Sequence, residues 1–158
     1  MLSLAVAVLL FVFTIIGGIF YLVPRLNIAP GAHGSTDNPL SVPLTLTNNG
    51  YLTVTIGDVS TSVDKFVTDR NNSLIRVILQ YRGTGTLKAG ESADFSPQKI
   101  IDFPDQKTVS ADFVVVVEYH QQFWPTALRK RVRFRVTPDA SGALQWLRPF
   151  LTDEDRKL

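Results

Sequence analysis

Two patterns of apolar positions divide the chain. Residues 4–23 (LAVAVLLFVFTIIGGIFYLV) form an unbroken apolar run, and over residues 40–136 apolar side chains recur mainly at every second position. About twenty helical residues at ~1.5 Å rise cover ~30 Å, the thickness of a bilayer's hydrocarbon core. Lipid offers no partners to free backbone groups, so residues 1–24 are expected to form a single transmembrane helix in contact with lipid through residues 4–23. The competing reading is a cleaved signal peptide, which has a basic leader, a shorter apolar stretch and a small-x-small cleavage site. Tyr21, Leu22, Val23 and Pro24 suit cleavage poorly and residues 29–32 offer only a weak site, so an uncleaved anchor is expected. Arg25 is the one basic side chain close to the run, and charge alone does not orient it. By analogy with other β domains behind N-terminal anchors, the rest of the chain is expected outside the cytoplasm, in a periplasmic or extracellular space.

Residues 24–39 (PRLNIAPGAHGSTDNP) carry three prolines and two glycines, and 25–39 is expected to be a linker with His33 as a solvated residue. A β domain is assigned to 40–152 and a polar tail to 153–158. Leu40, Val42, Leu44 and Leu46 alternate with polar residues as in a strand with one buried face. Asn49-Gly50 then suits a tight hairpin into a second strand with Leu52, Val54 and Ile56 inward. After Gly57 the parity shifts to Val59, Thr61 and Val63, which predicts a β-bulge at the glycine.

A third strand over 74–82 points Ile75, Val77, Leu79 and Tyr81 inward and Arg76, Gln80 and Arg82 outward. Gly83, Gly85 and Gly90 mark turns, and Phe95, Ile100, Ile101 and Phe103 add apolar contacts between them. The strand over 111–121 has Phe113, Val115, Val117 and Tyr119 on one face and Val114 and Val116 on the other, so it is expected to be central. In the last long strand Val132, Phe134 and Val136 alternate with Arg131, Arg133 and Arg135. Leu144, Leu147 and Leu151 fit one face of a short helix that closes one end of the domain, or rests on a membrane surface. Short turn-rich connections without a helical period predict an all-β, antiparallel immunoglobulin-like β-sandwich behind a single N-terminal transmembrane helix.

Residues 42–63 (VPLTLTNNGYLTVTIGDVSTSV) and the later Leu87-x-x-Gly90-Glu91-Ser92 together resemble the immunoglobulin-like adhesion or accessory modules of exported proteins. Late embryogenesis abundant type 2 domains, often membrane-tethered, are similar in this respect. The resemblance implies the fold and an accessory role, and it carries over no catalytic residue.

Composition narrows the chemistry. The absence of cysteine removes disulfides, thiolate metal sites and a cysteine nucleophile. A net charge of +2 implies no polyanion partner by itself. The stretch 85–92 (GTLKAGES) has the outline of a phosphate-binding loop, but Glu91 stands where the lysine is needed. Asp69-x-Asn71-x-Ser73 begins like a calcium loop, yet Leu74 replaces the required glycine and Gln80 the closing glutamate. Asn71-Asn72-Ser73 is a glycosylation sequon, relevant only in a eukaryotic secretory pathway. Glu118 and His120 share a strand face without a signposted nucleophile, and cross-strand pairing with the later arginines explains them better. No metal site and no cofactor is expected.

The most distinctive polar feature is Arg129-Lys130-Arg131-x-Arg133-x-Arg135, with Arg129, Arg131, Arg133 and Arg135 in one row. Such a row needs acidic neighbours within the fold or an anionic partner, either lipid, an acidic protein surface or an envelope polymer. Nucleic acid is not expected, because Phe134 points inward. Trp124 is expected as a corner plug of the core, with an exposed aromatic anchor as the alternative; Trp146 is the second candidate interface aromatic. The sequence therefore predicts a non-enzymatic, membrane-anchored binding or scaffold module, an accessory subunit with a protein partner in a membrane complex. The alternative is a small enzyme or anionic-ligand domain built on Glu118, His120 and Arg131, Arg133 and Arg135.

Overall fold

The computed structural model describes residues 2–31, 42–70, 73–74, 77–95, 107–153 and 155–157, leaving aside the side chains of 2–5, 19–21, 73–74, 82, 84 and 157. The sequence readings of His33, Leu40, Asn71, Ile75, Arg76, Ile100, Ile101 and Phe103 lie outside the described residues. Helix α1 (Leu2–Leu22) is followed by β1 (Leu26–Pro30), β2 (Leu44–Asn48), β3 (Val54–Thr68), β4 (Ser73–Leu74) and β5 (Val77–Leu87). Then come β6 (Ser92–Phe95), β7 (Thr108–Gln121), β8 (Leu128–Pro138), β9 (Leu144–Leu147) and a 3-10 turn, Asp155–Lys157.

The strands form two antiparallel sheets, so the all-β expectation holds. One sheet has the order β1-β2-β6; in the other, β9-β8-β7-β3 run side by side and the far edge of β3 carries β4 and β5. Both sheets supply one core. Leu26, Ile28, Leu44 and Leu46 come from the first, and Val54, Ile56, Val59, Phe113, Val115, Phe134 and Val136 from the second. Strand β7 pairs with β3 and β8, and 113–117 are buried without interruption, as a central strand requires.

The bulge also lies where the parity shift puts it. Register slips between Ile56 and Val59 against β7, and Val54, Ile56, Val59, Thr61 and Val63 all remain buried. A Cβ at Gly57 would meet the Glu118 carbonyl oxygen at 3.3 Å, so the bulge brings two backbones together where a side chain fits poorly. A second slip falls at Asp64, between Val63 and Lys65.

Several expectations are corrected. The linker assigned to 25–39 contains β1, which pairs along β2 and buries Leu26 and Ile28; alternation of Leu26, Ile28 and Pro30 outweighs the flanking prolines. Asn49-Gly50 does not close a hairpin, because β2 pairs with β1 and β6 and not with β3. The turn instead carries the chain from one sheet to the other around a buried Asn48. Its Nδ2 donates to the carbonyls of Leu52 and Leu87, its Oδ1 accepts from Gly50 N, and its backbone bonds Gly90 and Glu91. Gly83 and Gly85 are not turns but lie inside β5, beside its register slip against β3; Gly90, at φ 78°, does turn the chain. Tyr81, expected inward, is exposed.

The segment expected to be a short C-terminal helix is strand β9, whose Leu144 and Trp146 pack on the core. Asp139 builds the β8–β9 turn, accepting from Ser141 N, Ser141 Oγ and Ala143 N, with Gly142 at φ 85°. These bonds hold its carboxyl below the usual range, the Ser141 hydroxyl contributing most. Within the tail assigned to 153–158, Asp155 is buried.

Only residues 23–25 separate α1 from β1, and the helix sits directly on the domain. Gln121 Nε2 donates to the Leu22 carbonyl (2.9 Å) and Asn49 N to the Arg25 carbonyl (2.7 Å). The first of these satisfies one of the carbonyls that a helix end leaves open. In α1 the side chains at Val6, Leu9, Phe11 and Phe13 are exposed. Its described side chains run over 6–18 and Leu22, and among the described residues no helix is long and apolar enough to cross a membrane.

Candidate functional site

The arginine row follows from register. On the face of the larger sheet turned away from the core, Arg129, Arg131, Arg133 and Arg135 stand opposite Glu118, Val116, Val114 and Asp112. Lys130 takes the other parity, opposite Val117, and is exposed where β8 begins. Among the described residues, acids of the same chain reach three of the four arginines.

Arg133 is the centre. Its guanidinium bonds Asp155 Oδ1 through Nη1 at 2.7 Å and Asp64 Oδ2 through Nη2 at 2.8 Å. Nε lies 2.8 Å from Asp112 Oδ1, a charge contact without hydrogen-bond alignment. Arg135 bonds the other Asp112 oxygen through Nε (3.1 Å) and Nη2 (2.9 Å). At the end of the row the Arg129 Nε–Glu118 Oε2 pair (3.0 Å) is half-exposed and worth at most ~1 kcal/mol. Arg131 differs, with its Nε buried and lacking a partner among the described residues.

Burial decides which pair matters. The Arg133 side chain is 11% exposed and that of Asp155 3%, so removing either partner strands charge away from water. Burial alone would depress the Arg133 pKa, but the adjacent carboxylates of Asp112 and Asp155 more than offset it and raise it above the ordinary arginine value. Burial would raise that of Asp155; hydrogen bonds from Thr152 and Arg133 win and lower it. Thr152 N donates to Asp155 Oδ2 (2.6 Å) and Asp155 N to Thr152 Oγ1 (3.3 Å), the reciprocal pattern of a capping box. The last turn is thus built locally and then pinned to β8.

Glu118 is engaged by Arg129, and His120 is exposed opposite Thr55 at the end of the same face. The two tryptophans part company. Trp146 packs edge-on to Phe113 and Phe134, both ring centroids 5.6 Å away. Trp124, expected as a core plug, lies exposed in the β7–β8 turn beside Phe123. Pro125 follows it, and Trp124 N donates to the Gln121 carbonyl (2.9 Å), so the indole belongs to a local turn at the sheet's end and not to a strand face over the core.

The opposite side of the domain carries β5 and β6. Among the described residues β5 pairs only with β3 and β6 only with β2, and between them lies a groove of about 200 Å³ lined by Leu46, Ile56, Tyr81, Leu87 and Phe95. On the closed side Arg148 spans the sheets, bonding the Ile28 carbonyl and stacking over Phe134 (5.6 Å).

No family model, curated protein or solved structure matches this chain.

Sequence reasoning found the row and its pairing with Glu118 but missed Asp64, Asp155, Asn48 and Gln121. The Thr152-x-x-Asp155 spacing was the available signal for the last turn. Asp64 follows Val63 at outward parity, but only the pairing of β3 with β7 and of β7 with β8 brings it to Arg133.

Proposed function

We propose that this protein is a single-pass, membrane-tethered, non-catalytic binding module: an immunoglobulin-like β-sandwich held outside the cytoplasm, as an accessory subunit of a membrane or envelope complex. The observation that carries this reading is α1. It is 21 residues long, ~32 Å at 1.5 Å per residue, drawn from a charge-free sequence, and it meets the β domain with only 23–25 between. Apolar residues around its whole circumference need an apolar surrounding.

The binding surface favoured by the geometry is the groove between β5 and β6. Among the described residues, three arginines of the basic row have acidic partners, whereas β5 and β6 each keep one edge without a paired strand, which an extended segment of a partner protein can extend. Two measurements test this. A tag after Leu158 should become protease-sensitive once only the outer barrier is breached; protection until the cytoplasmic membrane is opened would reverse the orientation. A photo-cross-linking residue at Ala93, on the groove wall, should give discrete protein adducts, and one at Ala140, in the β8–β9 turn, should give none. Adducts at Ala140 alone would move the binding surface elsewhere.

A further inference from the structure

Three chain segments converge where α1 joins the domain. Gln121 Nε2 holds the Leu22 carbonyl, Asn49 N the Arg25 carbonyl, and Gln122 N the Thr53 carbonyl (3.1 Å), so residues 22–25, 49–53 and 121–124 form one end of the molecule. Large apolar side chains project from that end. Phe123 is 84% exposed, Tyr51 60% and Trp124 42%. Phe123 also has φ 68°, a left-handed backbone rare for a bulky residue, and the conformation aims its ring at solvent and not at the core.

In water this arrangement gains nothing. It becomes favourable if the end from which α1 emerges faces a bilayer, because the rings then leave water at the level where Tyr and Trp are enriched in membrane proteins. We infer that Phe123 and Trp124, with Tyr51 on the neighbouring turn, are a second membrane contact, seated in the headgroup region of the bilayer that α1 spans. The inference rests on reading α1 as an anchor. The occupant is lipid because Phe123 lies two residues from Gln121, whose side chain holds the last helical carbonyl, and Arg25, exposed beside it, can meet lipid phosphates. A domain seated this way has a fixed tilt, which presents the β5–β6 edges at a constant height above the membrane.

The chain has no cysteine, so single cysteines report cleanly. In full-length protein reconstituted in phosphatidylcholine vesicles, Phe123→Cys should react with a water-soluble maleimide at least tenfold more slowly than Ala140→Cys, and equally fast after unfolding in detergent and urea. In Trp146→Phe, emission from Trp124 should be quenched by lipids brominated near the headgroup more than by lipids brominated deep in the chain. In Trp124→Phe, Trp146 should be quenched by neither. Equal maleimide rates in vesicles, for protein that resists alkaline extraction, would overturn the seat and leave the anchor standing. Release by alkali would overturn the anchor, and the seat with it.

Discussion

Arg133 on β8 and Asp155 in the final 3-10 turn lie 2.7 Å apart, and the pair fastens the end of the chain over the outer face of the larger sheet. Asp64 and Asp112 complete the ring of carboxylates around that guanidinium. A basic motif that looks like a ligand site in one dimension is largely an internal fastening in three.

The two partners should not be equal. Arg133→Ala leaves three carboxylates without the guanidinium that joins them, whereas Asp155→Asn leaves Arg133 with two. Breaking a buried pair costs about 3–5 kcal/mol when the survivor is uncompensated. Urea unfolding should therefore give a loss near that range for Arg133→Ala and about 1–2 kcal/mol for Asp155→Asn.

Acid should act through the same carboxylate. The Asp155 pKa is lowered in the folded state, so its contribution to stability is present above the unfolded value and disappears as pH falls through the folded one. Stability should drop below about pH 4, where unfolded aspartate takes up its proton. The drop should be shallower in Asp155→Asn, measured by thermal unfolding between pH 2 and 7. Arg133, raised further from an already high value, stays charged across this window and adds no slope.

The tryptophans separate structure from surface. Trp146→Ala removes contacts to Phe113 and Phe134 and should cost about 2–4 kcal/mol, with loss of near-UV circular dichroism. Trp124→Ala should leave stability in detergent within about 0.5 kcal/mol.

At the bulge, Gly57→Val drives a side chain against the Glu118 carbonyl and should cost about 1–3 kcal/mol. Asn48→Ala orphans the Leu52 and Leu87 carbonyls, each at about 1–3 kcal/mol when buried, and should be the more damaging change. Chemical denaturation of both variants checks the order.

What the sequence made legible was whatever depends on side-chain parity. The Gly57 bulge, the central place of β7 and the alternation of Phe134 and Val136 with arginines all follow from which face each residue must bury. Pairing partners were not legible. Asn49-Gly50 suits a hairpin locally, yet the Asn48 amide instead bonds Leu52 in the turn and Leu87 of the other sheet. The β1 strand was hidden by its prolines, although Leu26 and Ile28 carried the period. Leu144, Leu147 and Leu151 fit a helix by spacing, but an exposed edge on β8 offered β9 a ladder. The acids around Arg133 come from three distant stretches, and only the fold brings them together.

The central claim is that α1 holds this β domain to a bilayer. Its most direct test is to strip membranes carrying the full chain with high salt and then with alkaline carbonate. The account predicts that the protein stays in the membrane pellet through both washes and leaves only with detergent. Its appearance in the carbonate supernatant would contradict the anchor.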